Sequence, residues 1–146
     1  MKKKLLGPMA IGIALAISSC AYMKNDSLSI EEKFHRYDLN DDGKVSPDEY
    51  DEVLTRISFL AFDINEDGAV KMDEWEKLEG KDSDPAMFKV HDFNKDGKVT
   101  LKEALDCTEK HRSFSKDFPG IDTNRNGFVE IPEAKAYAAK ERAVMR

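Results

Sequence analysis

Residues 38–49 decide the fold, and they read Asp38-Leu39-Asn40-Asp41-Asp42-Gly43-Lys44-Val45-Ser46-Pro47-Asp48-Glu49. Oxygen-bearing side chains stand at positions 1, 3, 5, 9 and 12 of this stretch, and glycine stands at position 6. Glycine permits a sharp turn there because it has no Cβ to clash with the backbone. A hard divalent cation takes about six to eight oxygen ligands. The spacing therefore predicts a loop that curls around such a cation.

The same pattern occurs three more times, in residues 63–74, 92–103 and 122–133. We number the four stretches loops 1 to 4 in chain order. Each has Asp at position 1, Asn at 3, Asp or Asn at 5, Gly at 6, Val at 8 and Glu at 12, and a phenylalanine stands four residues before each loop. Asp, Asn and Gly also favour turns that bind nothing, but such turns need neither the valine nor the glutamate. The chain therefore contains an internal repeat over residues 34–140.

This repeat resembles the calcium loops of the EF-hand family. The resemblance implies an all-α protein of EF-hand helix-loop-helix repeats, with four calcium loops and short β-bridges between paired loops. It implies Ca²⁺ as the cofactor, with a backbone carbonyl at position 7 and both carboxylate oxygens at position 12 as ligands. Glutamate at position 12 of every loop favours Ca²⁺ over Mg²⁺, which prefers fewer ligands in a tighter octahedron. The implied ligands are Asp38, Asn40, Asp42, Lys44, Ser46 and Glu49; Asp63, Asn65, Asp67, Ala69 and Glu74; Asp92, Asn94, Asp96, Lys98, Thr100 and Glu103; and Asp122, Asn124, Asn126, Phe128, Glu130 and Glu133.

Two loops depart from the pattern. Loop 2 has Lys71 at position 9, where an oxygen is usual, so we expect its site to be weaker, with water in that place. Loop 4 has Asn126 at position 5, but Glu130 at position 9 keeps its number of acidic ligands at three.

Residues 1–19 have the composition of an export signal. Three lysines are followed by an apolar run over residues 5–17 and by two serines before Cys20. The run is shorter than the roughly 20 residues that span a bilayer. The stretch Ile17-Ser18-Ser19-Cys20 resembles a bacterial lipoprotein cleavage site, although that family usually has Leu at the place of Ile17. The resemblance implies lipidation of Cys20 and anchoring to a membrane, with the outer membrane favoured in a Gram-negative host; the alternative is ordinary cleavage and a secreted protein.

The spacing of loops 1 and 2 is unusually short, since loop 2 begins at Asp63 and loop 1 ends at Glu49. No Gly or Pro lies between them, and apolar residues recur at helical spacing. We expect one helix over residues 47–62 that leaves loop 1 and enters loop 2. At about 1.5 Å per residue it would hold the two loops about 24 Å apart, so loops 1 and 2 would not lie side by side.

The remaining intervals predict the other helices and the domain organisation. Helices are predicted over residues 30–37, with Ser29 and Glu32 as a capping box, and over residues 72–79, 85–91, 101–112 and 131–144. The predicted division is a tether over residues 20–29, loops 1 and 2 within residues 30–79, and loops 3 and 4 within residues 84–146. Cys107 and Trp75 are predicted to be buried, and the three histidines show no metal-ligand spacing.

Composition restricts the function further. The formal net charge is -6, which argues against nucleic acid as a partner. The sequence contains no nucleophile elbow, P-loop or His-Glu zinc helix, so we predict that the protein is not an enzyme. We expect an exported, lipid-anchored calcium sensor that binds a protein target in a calcium-dependent manner. A calcium-stabilised structural module and a buffer without a target are the alternatives, and sparse methionines count against a broad target groove.

Overall fold

The computed structural model describes residues 28–80, 85–112, 114–115 and 118–144, and it leaves aside the side chains of residues 141, 142 and 144. The predicted export signal and Cys20 lie outside the described residues. The described chain is mostly helical. In order it comprises α1 (Ile30–His35), α2 (Pro47–Phe62), β1 (Ala69–Lys71), α3 (Met72–Glu79), α4 (Pro85–His91), β2 (Lys98–Thr100), α5 (Leu101–His111), a 3₁₀ helix (Phe118–Gly120) and α6 (Ile131–Val144).

Local signals at the helix ends explain these bounds. Ser29 caps α1 by accepting the Glu32 N–H, and the Glu32 carboxylate accepts the Ser29 N–H, which confirms the predicted capping box. Helix α2 begins at Pro47 behind the capping pair Ser46 and Glu49, and it continues without interruption to Phe62, as predicted. Helix α3 ends where Gly80 adopts a φ of 92° and its N–H binds the Glu76 carbonyl.

The loops pair across the molecule rather than along the chain. Strands β1 and β2 form an antiparallel sheet in which Val70 of loop 2 faces Val99 of loop 3. Val45 of loop 1 forms an isolated antiparallel bridge with Val129 of loop 4. We call these the 2/3 pair and the 1/4 pair. The expectation that loops 1 and 2 are not neighbours is thereby confirmed, because α2 separates them.

This pairing crosses the predicted division into residues 30–79 and 84–146. Each pair takes one loop from each segment, because the unbroken helix α2 keeps loops 1 and 2 apart. The division by chain order therefore does not correspond to the contacts between the loops.

Three apolar clusters follow α2 from one pair to the other. The cluster at the 2/3 pair contains Phe62, Trp75, Phe88 and Val99, and Trp75 is 2% exposed. The cluster at the 1/4 pair contains Phe34, Val45, Phe118, Ile121 and Val129. Between them, residues Val53, Leu54 and Ile57 of α2 pack against Phe114. Helix α2 thus belongs to both ends of the core, and it packs along α5 while α1 packs against α6.

Candidate calcium centres

The four loops have the same backbone conformation. Glycine at position 6 has a φ between 80° and 88° in every loop. Position 4 has a φ between 58° and 60°, although its residues are Asp41, Glu66, Lys95 and Arg125. A non-glycine residue in this left-handed region costs roughly 1–2 kcal/mol. Four unlike residues therefore accept the same strained turn, which brings the side chains at positions 1, 3 and 5 around a common centre.

The aspartate at position 1 organises the turn in each loop. Its Oδ1 accepts the N–H of position 5 at 3.0–3.2 Å. Its Oδ2 accepts the glycine N–H at 2.9–3.0 Å. The side-chain oxygens at positions 3 and 5 accept the N–H groups of positions 5 and 7 at 2.8–3.1 Å. These bonds bring the predicted side-chain ligands at positions 1, 3 and 5 together in all four loops.

The glutamate at position 12 closes each loop from the following helix. One carboxylate oxygen accepts the N–H of position 3 at 3.0–3.4 Å. The other accepts the N–H of position 9 at 2.9–3.1 Å. In loops 1 and 3 the pairs Ser46–Glu49 and Thr100–Glu103 are also the capping boxes of α2 and α5. The same spacing therefore begins the helix and places the last ligand.

Burial and charge show that a cation fits these loops. The position-1 aspartates and position-12 glutamates are all 9% exposed or less, and Glu74 is 1% exposed. Within the described chain, no ion pair joins any of these eight carboxylates to a lysine or arginine. A buried carboxylate without a counter-charge is costly. A divalent cation in each loop would supply that charge, and the two acids of that loop would hold it together with the oxygens at positions 3 and 5.

The pKa shifts of two glutamates agree with an ionised carboxylate. Partial burial acts to raise the pKa of Glu103, but hydrogen bonds donated by Thr100 and Asn94 lower it below the ordinary value of 4.5. The pKa of Glu133 is lowered in the same way, with burial opposed by the N–H groups of Asn124 and Glu130. Both carboxylates are therefore ionised at neutral pH, as the binding of a cation requires.

Loop 2 differs from the others in a way that the sequence predicted only in part. Lys71 lies at position 9, and its ammonium group forms an ion pair with Asp67, the predicted ligand at position 5. Lys71 donates a hydrogen bond to the Asp67 carboxylate, and this bond lowers the pKa of Asp67 and raises the pKa of Lys71. Lys71 also offers no side-chain cap to α3. The Lys71 ammonium group therefore competes with the cation for the Asp67 carboxylate.

Other residues enter the loops without a signal in the spacing. His35, Asp38 and Asp41 place one ligand atom each within 4.8 Å of one another, so an exposed histidine lies beside loop 1. The Lys44 ammonium group lies 3.9 Å from Glu130 and 5.3 Å from the centre of the Phe128 ring, which connects loop 1 to two predicted ligand positions of loop 4. His91 and Cys107 are buried, in agreement with a packing role.

Within the described residues, no helix has the length and apolarity needed to cross a bilayer.

Comparison with known proteins agrees with this geometry. Residues 30–54 and 56–78 match the family model described as EF hand. A curated relative, Calcium-binding protein H of Dictyostelium discoideum, is 29% identical over 110 residues, which cover 71% of this chain and 61% of the relative. The chain thus spans about three fifths of the length of that relative. Residues 30–78 are therefore similar to EF-hand repeats, and these matches agree with the oxygen-lined loops in identifying Ca²⁺ as the cofactor of the chain.

Proposed function

We propose that all four loops bind Ca²⁺ and that the chain is an exported, lipid-anchored sensor that binds a protein target when calcium is present. The observation that carries the proposal is the recurrence of one oxygen arrangement in every loop. Loops 3 and 4 lie beyond the matched residues 30–78, yet they have the turns and hydrogen bonds of loops 1 and 2. Exported calcium modules need only weak sites, with dissociation constants of about 10⁻⁴–10⁻³ M.

An apolar cavity in the 1/4 pair supports a sensor. It measures about 250 Å³ and lies between α1 and α6, with Phe34, Tyr37, Tyr50 and Tyr137 among its walls. Its walls also include Val45 and Val129, which form the bridge between the two loops. A change of loop geometry on calcium binding would therefore act directly on the cavity walls. An apolar side chain of a target would fit this space.

The 2/3 pair favours the alternative of a calcium-stabilised structural module. Its centre is filled by Trp75, whose ring lies 4.8 Å from that of Phe62 and 5.8 Å from that of Phe88. Such a filled aromatic core would be stabilised by calcium. The two functions therefore predict opposite effects of calcium on exposed apolar surface.

Dye binding to exposed apolar surface separates the two functions. We would titrate residues 21–146 with calcium while following the fluorescence of a dye that binds apolar surface. The sensor predicts a rise that is lost in the double variant Glu49→Gln/Glu133→Gln and kept in Glu74→Gln/Glu103→Gln. A fall in fluorescence would favour the structural module and contradict the sensor.

Export and lipidation rest on residues 1–20 alone. If Cys20 carries the lipid, the protein should fractionate with membranes, and Cys20→Ser should release it to the soluble fraction. An unchanged distribution in Cys20→Ser would contradict the anchor.

A further inference from the structure

The approach to loop 4 differs from that of the other loops. Loops 1, 2 and 3 follow the α-helices α1, α2 and α4, whereas loop 4 follows a 3₁₀ helix of three residues, Phe118–Gly120. Pro119 lacks an N–H and Gly120 adds flexibility, so this segment is a poor α-helix. Two backbone bonds, from Ile121 and Asp122 to the Phe118 carbonyl, lead into the loop at 2.9 and 3.0 Å. Because this element is only three residues long, contacts from outside it contribute to the position of Asp122.

Asp51 of α2 supplies such a contact. Its Oδ1 accepts the N–H of Phe114 at 3.0 Å and that of Ser115 at 2.8 Å. The Ser115 carbonyl in turn accepts the Phe118 N–H at 3.3 Å, at the start of the 3₁₀ helix. The Phe114 ring is 8% exposed and packs against Val53, Leu54 and Ile57. A continuous path of hydrogen bonds therefore runs from Asp51 to Asp122, the first residue of loop 4.

The burial of Asp51 points to a role beyond stability. The side chain is 5% exposed, and its Oδ2 has no hydrogen-bond partner among the described residues. None of the ion pairs in the described chain includes it. A buried carboxylate with an unsatisfied oxygen costs free energy that an apolar residue would avoid. A carboxylate can, however, hold two N–H groups at once through charge-assisted bonds.

We propose that Asp51 is the positioning residue of loop 4 and connects it to loop 1. Asp51 lies two residues after Glu49, the last ligand of loop 1, on the same helix α2. A cation that fixes Glu49 therefore also fixes the acceptor that holds residues 114 and 115. The inference rests on the proposed binding of calcium by loop 4.

The position-6 glycines allow each loop to be followed separately in the full chain. Each glycine N–H donates to the position-1 aspartate of its own loop. A cation on that aspartate polarises the bond, so the four glycine amide resonances in an NMR titration report the four loops. Asp51→Ala is expected to weaken calcium binding by loop 4, followed by the Gly127 amide, by about tenfold. This is the low end for groups that orient metal ligands. The titrations of Gly68 and Gly97 should stay unchanged.

Two further variants separate positioning from folding. Asp51→Asn keeps an oxygen that accepts both N–H groups, so it should restore most of the affinity of loop 4. Asp51→Leu fills the same space without an acceptor, so it should weaken loop 4 even if the alanine variant does not fold. Ser58→Ala is the matched control, because the buried Ser58 hydroxyl on α2 donates only to the Leu54 carbonyl, at 2.7 Å. It should leave loop 4 unchanged.

The outcomes distinguish the two proposals. If Gly127 responds to calcium and a folded Asp51→Leu variant binds as tightly as the wild type, the role of Asp51 is overturned while the four-loop proposal stands. Equal weakening of all loops by Asp51→Leu and Ser58→Ala would also overturn it, since that result indicates general destabilisation. If Gly127 of the wild type does not respond to calcium, binding by loop 4 fails and the role of Asp51 fails with it.

Discussion

Val45 and Val129 exchange two backbone hydrogen bonds, each 2.9 Å long, and thereby join loop 1 to loop 4. Val70 and Val99 make the corresponding contact between loops 2 and 3. Along the chain, the two loops of the 2/3 pair therefore lie between the two loops of the 1/4 pair. Each valine lies between the ligands at positions 7 and 9, so an ion that orders one loop also orders the bridging strand of its partner. Energetic coupling should follow these bridges rather than the order of the loops in the chain.

Loss of the site in loop 1 should therefore affect loop 4 more than loop 2. Glu49→Gln removes a charged ligand while keeping the shape of the side chain. We expect the calcium affinity reported by the Gly127 amide to fall at least about fivefold, a typical lower limit for coupled sites. The affinity reported by Gly68 should change less. The reciprocal variant Glu74→Gln should weaken loop 3 more than loop 4, and the opposite order in both variants would refute coupling through the bridges.

Replacing Lys71 should strengthen loop 2. Lys71→Ser removes the ammonium group that pairs with Asp67 and places a hydroxyl where Ser46 caps α2 in loop 1. We expect the calcium affinity of loop 2, followed by the Gly68 amide, to rise several-fold. The calcium-free chain should gain about 1 kcal/mol from the new helix cap.

Two control variants divide the effect of Lys71→Ser into its causes. Lys71→Ala removes the ion pair without adding a cap, so it should raise the affinity but not the stability of the calcium-free chain. Arg56→Ser makes the same change of charge on α2, where Arg56 pairs with Glu52 outside the loops. An equal gain at loop 2 from Arg56→Ser would mean that overall charge, and not the contact with Asp67, sets the affinity.

The local features of the fold could be predicted because neighbouring residues determine them. The bounds of α2 follow from Ser46, Pro47 and Glu49 at one end and from the absence of Gly and Pro up to Phe62. The grouping of the side-chain oxygens at positions 1, 3 and 5 follows in the same way, since hydrogen bonds within each loop bring them together. The match to the EF-hand family model covers loops 1 and 2, and the ligand assignments in all four loops remain predictions.

The contacts between distant segments could not be predicted. Spacing along the chain showed that loops 1 and 2 are apart, but it did not indicate that loop 1 would meet loop 4. Asp51 looked like an ordinary acidic residue on a charged helix, because its partners Phe114 and Ser115 lie far along the chain. The loop pattern does not indicate the ion pair between Lys71 and Asp67, because it shows that position 9 lacks an oxygen but not which residue the lysine contacts.

Removing a position-12 glutamate should remove one ion from the chain. Glu49→Gln and Glu103→Gln are each expected to lower the number of calcium ions bound, measured by isothermal titration calorimetry, by about one. The amide cannot supply the charge that the cation requires. Glu109→Gln is the control, since Glu109 is exposed on α5 and lies outside every loop. An unchanged number of ions in either loop variant would contradict that assignment.

His91 should make the calcium-free chain less stable in mild acid. The ring is 2% exposed, its Nδ1–H donates to the Met87 carbonyl at 2.9 Å, and its centre lies 5.7 Å from that of Trp75. Burial lowers the pKa of His91 below 6.5; the Met87 carbonyl opposes this shift and the charge of His111 adds to it. The unfolded chain therefore binds a proton at higher pH than the folded chain does. The stability that the neutral His91 ring gives the folded chain is therefore fully present above pH 6.5, and it declines as the pH falls from 6.5 towards the folded pKa.

Urea unfolding of the calcium-free chain, followed by the fluorescence of Trp75, tests this contribution. The midpoint should fall as the pH is lowered from about 7.5 to about 5.5, the range in which histidine ordinarily titrates. His91→Phe should flatten that dependence, because the new aromatic ring cannot be protonated. Phenylalanine already occupies the equivalent position before loop 2, as Phe62. His35→Gln should keep the dependence, since His35 is exposed. If His91→Phe retains the full decline, another group titrates in this range and the buried imidazole is not its source.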